Sequence, residues 1–464
     1  MRGVAAMLAV AIIAVLHGPT SVRAEMQARR AYDFVNSVGV NTHFSWTNTV
    51  YDSKYDELKA ALDDLGIKHI RQNASFPLSI RSIADLNESL GIRALMIVDN
   101  FKAKNFGARE LDPNSVADQI DNAIAKLGAD AFSGVEGPNE YNATLKKGGN
   151  TDWAQDLRAF AAATHRAVRN NPAAGALPVV APSLAWNDKA NFQELGDLSS
   201  VSDLGNLHAY SGERPLDAAL SQLLQLVSVV NPGQPVLVTE YGLQTAMKKW
   251  QDHPFTEKVK AKYLARSMAA LFARPEVKRG FIYQLIDTDP NSDLDDPDQH
   301  FGLLRNDGSP TKAYHAVRNI MHLLCDADSG FNPRDLKASL SGDLQNVRSF
   351  LLQKGSGLFY LVLWQDAVSY EKPKPSNLLR SREWSAGALP VTLTFEEPVA
   401  KVRTYLPSAL EGDADGGKRA KNTFDAPTSV SLDAPDELLI VEIVPEGASN
   451  PESPSGCNFT PSIR

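Results

Sequence analysis

Two glutamates stand one hundred positions apart in similar surroundings, Glu140 in "GVEGPNEYNAT" and Glu240 in "PVLVTEYGLQT". Each closes a short apolar, β-rich run, and Gly137 and Pro138 break the chain just before the first. Two carboxylates facing each other across a cleft are the minimum apparatus for cutting a glycosidic bond. One protonates the departing oxygen, and the other either attacks the anomeric carbon or activates water. The protonating group needs a pKa raised by burial or by its negative neighbour, and the other stays ionised beside a cation and hydrogen-bond donors. Arg71 and Tyr210 are candidates for that support.

The elements that would position this pair are legible in the chain. Between residues 35 and 325, short β-rich runs alternate with stretches whose apolar residues recur at helical spacing. The runs are 38–44, 68–73, 93–100, 132–140, 177–186, 204–210, 235–242 and 279–287. Asp112 and Pro113 read as the N-cap and first turn of the helix after the third. Eight such units predict a closed (β/α)8 barrel, whose chemistry sits at the carboxyl ends of its strands. No glycine-rich fingerprint follows the first run, so a dinucleotide fold has little support.

At the predicted strand ends stand His43 and Trp46, Arg71 and Asn73, Asp99 and Asn100, Asn139 and Glu140, Trp186, His208 and Tyr210, Glu240 and Tyr241, then Tyr283, Gln284 and Asp287. Glu136, inside the fourth strand, reads as a salt-bridged barrel residue rather than a second acid. Trp46 and Trp186 have the flat faces that stack on sugar rings or pack in a core. The acidic loop 287–300 has alternating oxygen ligands. Ser292 replaces the glycine a calcium loop requires and Pro290 interrupts the series, so a solvated loop lining the cleft is the reading and no metal is expected.

"PNEYN", "LHAY" and "LVTEYG", with "QHFGLLRNDGSPTKAYHAV" further on, resemble the retaining glycoside hydrolases of clan A and are most similar to family 39-like bacterial enzymes, some of which cut exopolysaccharides. The resemblance implies that Glu140 is the general acid/base, Glu240 the nucleophile and Asn139 the donor to the sugar 2-hydroxyl. It makes Arg71, His208 and Tyr210 supports of the nucleophile and of the subsite holding the cleaved sugar. It also implies no cofactor. The strand-four "NEP" of the family is "NEY" here, and strand eight ends in "IYQLID" where many members carry a tryptophan, so Tyr283 or Gln284 must floor the sugar.

Beyond residue 325 the pattern changes to apolar/polar alternation punctuated by turns, which predicts an antiparallel β-sandwich. The expected organisation is a signal peptide over 1–24, a catalytic barrel over 25–327, a sandwich over 328–447 and a Pro/Ser/Gly-rich tail over 448–464. Arg2, the apolar run 4–16 and the Val22-Arg23-Ala24 site predict export to the periplasm or beyond, with no stable membrane anchor. Cys325 and Cys457, the two cysteines of the chain, are expected to form one bridge, worth roughly 4 to 5 kcal/mol in the loop-entropy account, although two free thiols are the alternative. With 464 residues, 43% of them hydrophobic, and a net charge of -8 with no basic stripe, the chain predicts a carbohydrate partner and no nucleic acid. A non-hydrolytic carbohydrate-binding or polysaccharide-biosynthesis protein on the same barrel is the alternative, with a hydrolase or lyase of non-glycosidic bonds behind it. Oligomeric state, sugar identity and linkage are open.

Overall fold

The structure is a computed structural model that describes residues 26–99, 101–102, 110–143, 151–212, 214–246, 255–288, 290, 299–371, 382–409 and 419–448. The expected signal peptide, Asn100, Cys457, nearly all of the expected tail and most of the acidic loop lie outside the described residues.

Eight parallel strands form one sheet: β1 (Val38–Asn41), β2 (His69–Asn73), β3 (Arg93–Ile97), β4 (Phe132–Glu136), β5 (Val179–Val180), β6 (Gly205–His208), β7 (Val236–Tyr241) and β8 (Val277–Ile282). Their order is β5-β4-β3-β2-β1-β8-β7-β6, and a parallel bridge between Val180 and Leu204 joins the two ends, closing the barrel. The helices α1 (Tyr55–Asp64), α2 (Pro77–Leu90), α3 (Val116–Leu127), α4 (Trp153–Asn170), α5 (Lys189–Leu195), α6 (Leu216–Val230), α7 (Glu257–Ala273) and α8 (Lys312–Leu324) follow the strands in turn. The fold is therefore the predicted (β/α)8 barrel.

The differences from the sequence pattern are local. Strand five is two residues long rather than ten, because Pro178 and Pro182 flank Val179–Val180 and a proline has no N–H for the ladder. Helix α3 starts at Val116, beyond Asp112, which instead closes a turn by accepting from Asn114 N at 3.1 Å. Strand alternation sets which side chains enter the barrel. On β7, Glu240 points to the mouth while Tyr241 is buried against the helix layer, where its ring leaves no room for a Cβ on Gly280, 2.9 Å away.

The second domain is the expected β-sandwich. Strands β9 (Ala338–Gly342), β10 (Val347–Gln353), β11 (Phe359–Gln365), β12 (Leu389–Phe395), β13 (Val399–Tyr405), β14 (Asn422–Asp425), β15 (Ser429–Ala434) and β16 (Leu439–Pro445) build two sheets. One has the order β9-β12-β15, and the other runs β10-β11-β16-β13-β14 with the segment Ala28–Arg30 added parallel to β10 at its edge. The first described residues thus pair with the sandwich, although they precede the barrel and the sequence pattern gives them to it. Successive residues of β11 divide between two cores. Phe359, Leu361 and Leu363 face the smaller sheet, while Tyr360, Val362 and Trp364 join the core of the barrel's helices.

Polar contacts fix that junction. Lys262 of α7 donates to Asp436 at 2.9 Å, Arg266 donates to the Ala367 and Asp436 carbonyls, and Trp364 Nε1 donates to Asp217 Oδ2 at 2.6 Å. Burial pushes the Asp217 carboxyl up to about 6, opposed by the Trp364 hydrogen bond and the Arg266 charge. Cys325 caps the end of α8 and is buried. No helix of the described residues is long and apolar enough to cross a membrane.

Candidate active site

The barrel interior is layered. Leu95, Val180, Leu237 and Phe281 form a small apolar core inside the sheet. Towards the carboxyl ends of the strands the inward side chains become polar: Asn41 on β1, Arg71 on β2, Glu136 on β4, Asn206 on β6 and Thr239 on β7. All five are buried, and a polar group there must find a partner or destabilise the fold by roughly 1 to 3 kcal/mol.

They are bonded to one another. Arg71 Nε and Nη2 donate to the two oxygens of Glu136 at 2.7 Å each. Asn206 Nδ2 donates to Glu136 Oε1 at 2.9 Å and Thr239 Oγ1 to Asn206 Oδ1 at 2.5 Å. Asn41 accepts from Arg71 Nη1 at 3.1 Å and donates to the Thr239 carbonyl at 3.0 Å. The guanidinium is thereby held on both edges and cannot turn. Glu136 has the structural ion-pair role read from the sequence.

Above this layer Arg71 presents its remaining donors to the mouth. Nη1 donates to Glu240 Oε1 and Nη2 to Asn139 Oδ1, both at 2.7 Å. The second oxygen of Glu240 accepts from Tyr210 OH at 2.7 Å. Burial, reinforced by the charge of Glu240, holds the Tyr210 phenol well above its ordinary pKa, so it remains a proton donor. Glu240 is thus gripped by a fixed cation on one oxygen and a hydroxyl on the other.

Glu140 sits after the Gly137-Pro138 turn in a left-handed conformation, φ 48°. That region is disfavoured for a non-glycine residue and persists only where the surroundings enforce it. Here the Glu140 N–H donates to Ser183 Oγ at 3.2 Å, and both ends of the Asn142 amide pair with the Ala185 backbone at 2.8 and 2.9 Å. Tyr141 is buried and donates to Asp156 of α4 at 3.2 Å.

His208 bridges the two glutamates. Its Nδ1 lies 2.7 Å from Glu140 Oε1 and 3.4 Å from Glu240 Oε2, so one ring nitrogen is hydrogen-bonded to the first carboxyl and within ion-pair reach of the second. Burial, the largest influence on Glu140, raises its pKa, but the His208 hydrogen bond, the His208 charge and Arg71 together bring it below the ordinary carboxylate value. One ligand atom from each of Glu140, His208 and Glu240 lies within 4.8 Å of the others. Such a trio has metal-ligand chemistry, yet Arg71 and Tyr210 already donate to Glu240, which suits proton handling and nucleophilic attack.

The other predicted residues divide. His43 stacks on Trp46 with ring centres 3.9 Å apart and meets Tyr283 edge-on at 5.7 Å. Burial, helped by Arg71 and opposed by Glu240, pushes the His43 imidazole down to about 4, so it is neutral at ordinary pH. Trp186 stands at the mouth after β5, also in the left-handed region, φ 55°. Gln284 is buried beneath the mouth with its Oε1 accepting from Tyr51 OH at 3.4 Å, so of the two strand-eight candidates only Tyr283 adjoins the His43–Trp46 stack. Asn73 donates to Asp99 at 2.6 Å on the adjacent rim.

Sequence reasoning missed Asn41, Asn206, Thr239 and Ser183. Asn206 carried a signal, since it lies two residues before His208 in one strand and so shares its inward face. Phe76, half-exposed after β2, was also missed.

The fold is a (β/α)8 barrel with one carboxylate after β4 and one on β7 meeting at its mouth. No protein-family model and no curated protein matches the sequence. Solved structures match its fold. The chain superposes on the family 39 glycoside hydrolase enzyme of Xanthomonas axonopodis pv. citri with a TM-score of 0.59 at 14% identity, over 90% of this chain and 96% of that one. A family 39 glycoside hydrolase from Bacteroides cellulosilyticus WH2 gives 0.56 at 14%, over 89% and 82% of the two chains. A family 39 β-xylosidase from Caulobacter crescentus gives 0.55 at 15%, over 91% and 98%. The barrel-plus-sandwich architecture is thus the one seen in family 39 glycoside hydrolases.

Proposed function

We propose that this protein is a retaining O-glycosidase that cleaves a poly- or oligosaccharide by double displacement. The observation that carries the reading is the spacing of the carboxylates. An oxygen of Glu140 and one of Glu240 lie within 4.8 Å of each other, an approach that favours the ~5–5.5 Å carboxyl separation of retaining pairs over the ~6.5–9.5 Å of inverting ones.

In the first step Glu240, aimed by Arg71 and Tyr210, attacks the anomeric carbon, and the bond to the leaving oxygen breaks as Glu140 gives that oxygen its proton. In the second, Glu140 takes a proton from water, whose oxygen displaces Glu240 and releases the sugar with its original configuration. For the first step Glu140 must be protonated, whereas the His208 contact favours its ionised form. His208 therefore sets the upper pH at which the acid functions. In this reading Asn139, held by Arg71, donates to the sugar 2-hydroxyl, and Tyr283 floors the cleaved sugar. Export through residues 1–24 and a Cys325–Cys457 bridge belong to the same reading, consistent with an extracellular glycan as substrate.

Proton NMR of the first product formed from a cleaved glycoside tests it. Retention of anomeric configuration is expected, and inversion would overturn the double displacement.

A further inference from the structure

Among the described residues the large apolar side chains left exposed are Trp46, Phe76 and Trp186 on the barrel and Leu344, Val368 and Trp384 on the sandwich. Scattered exposure is ordinary, and an exposed aromatic becomes informative by where it stands. The three on the barrel all stand in loops that follow carboxyl ends of strands, after β1, β2 and β5. None decorates the opposite end of the barrel or the outer faces of its helices.

The two sides of the mouth are distinguishable. Trp186 is tied to the acid: Ala185 pairs with Asn142, two residues past Glu140, and Asn187 Nδ2 donates to the carbonyl of His208, whose ring contacts Glu140. Trp46 belongs to the other side. Its ring lies on His43, and a chain of ring contacts runs from His43 through Tyr283 and Phe301 to Tyr210, the residue that donates to Glu240. Phe76 follows on the neighbouring strand. Because β1 and β5 lie four strands apart in an eight-stranded ring, the two groups face each other across the mouth.

Resting on the glycosidase reading, we propose that the mouth binds a saccharide chain on both sides of the bond it cuts. Trp186 carries the sugar that leaves with the oxygen protonated by Glu140, while Trp46 and Phe76 carry sugars beyond the one attacked by Glu240. The C–H face of a pyranose stacks on an aromatic ring, and an indole left 46% exposed in the loop after β5, or 42% exposed on a fixed imidazole, offers that face without rearrangement. An enzyme that removes terminal sugars needs contacts on one side of the bond for the chain end and few on the other. Platforms on both sides point to cleavage within the chain.

The test uses the full-length enzyme, fluorescently tagged hexasaccharides of β-1,3- and β-1,4-glucan, xylan, mannan and galactan, and the 4-nitrophenyl glycosides and glycosyl fluorides of the same sugars. The earliest products from a cleaved hexasaccharide are expected to be internal fragments of two to four sugars. W186A should lower kcat/KM on that hexasaccharide about tenfold, mainly through KM, and lower it much less on the glycosyl fluoride of the same sugar, whose single-atom leaving group does not reach the indole. W186F should recover most of the loss. Stepwise release of single sugars from one end, or equal loss by W186A on both substrates, would overturn the assignment. If every hexasaccharide and every nitrophenyl glycoside stays intact, the glycosidase reading fails, and this inference with it.

Discussion

The two halves of the barrel interior are built on opposite principles. The lower half is filled by Leu95, Val180, Leu237 and Phe281, which hold one another by shape and by exclusion of water. The upper half is filled by Asn41, Arg71, Glu136, Asn206 and Thr239, each tied to a neighbour on another strand. A packed apolar layer tolerates a lost methylene with local relaxation, whereas a hydrogen-bonded layer leaves a stranded charge when one member goes. The polar half also holds Arg71 and Glu240 in register, so damage there reaches the chemistry. Damage below should reach stability alone.

Substitutions separate the two halves. The largest effect is expected at the mouth itself: E240Q should lower kcat about a thousandfold or more with an unchanged unfolding transition, read by steady-state kinetics and thermal melting. Next is R71M, which strands Glu136 without its partner in a fully buried position. It should destabilise by about 3–5 kcal/mol and abolish turnover in the fraction that remains folded, measured by denaturant unfolding and activity on the same samples. L237A, in the apolar layer, should destabilise by about 2–5 kcal/mol while leaving kcat/KM of the folded enzyme near the wild-type value. Loss of activity in L237A equal to that in R71M would erase the distinction between the layers.

A smaller effect belongs to the proton on Glu140. Replacing His208 by Gln removes the imidazole's hydrogen bond and charge, which draw Glu140 down, and leaves burial, which draws it up, opposed by Arg71 alone. The acid then stays protonated to higher pH, and the alkaline limb of the kcat/KM profile should move upward. Smallest is the acid sensitivity of the fold. Burial keeps His43 neutral down to about 4, and burial with the nearby arginine charges holds His69 well below its ordinary value. Between about pH 6.5 and 4 the unfolded chain takes up protons that the folded one refuses, so stability should fall as pH drops through that window. Urea titrations at several pH values should show a flatter dependence for H43Q.

How much of this was legible in the sequence follows from the range of the contacts. The helices α6, α7 and α8 begin and end within a residue or so of their amphipathic stretches, because helical periodicity is a local signal. Glu140, Glu240, Arg71, His208 and Tyr210 were legible because strand ends locate them, and the structure brings all five together. Asn41 was not, since a single asparagine in an apolar strand acquires meaning only from partners on other strands. The segment Ala28–Arg30 had no local signal at all: three residues pair with a strand more than three hundred positions away. Strand five was read too long because alternation was counted through Pro178 and Pro182, which cannot donate to the ladder.

The most direct test of the account is to trap the intermediate. The enzyme is incubated with the 2-deoxy-2-fluoro glycosyl fluoride of the sugar it releases, digested, and its labelled peptide sequenced by mass spectrometry. The account predicts a single adduct on Glu240, in the peptide containing "VTEYG". An adduct on Glu140 or Glu136, or turnover without any covalent species, would contradict it.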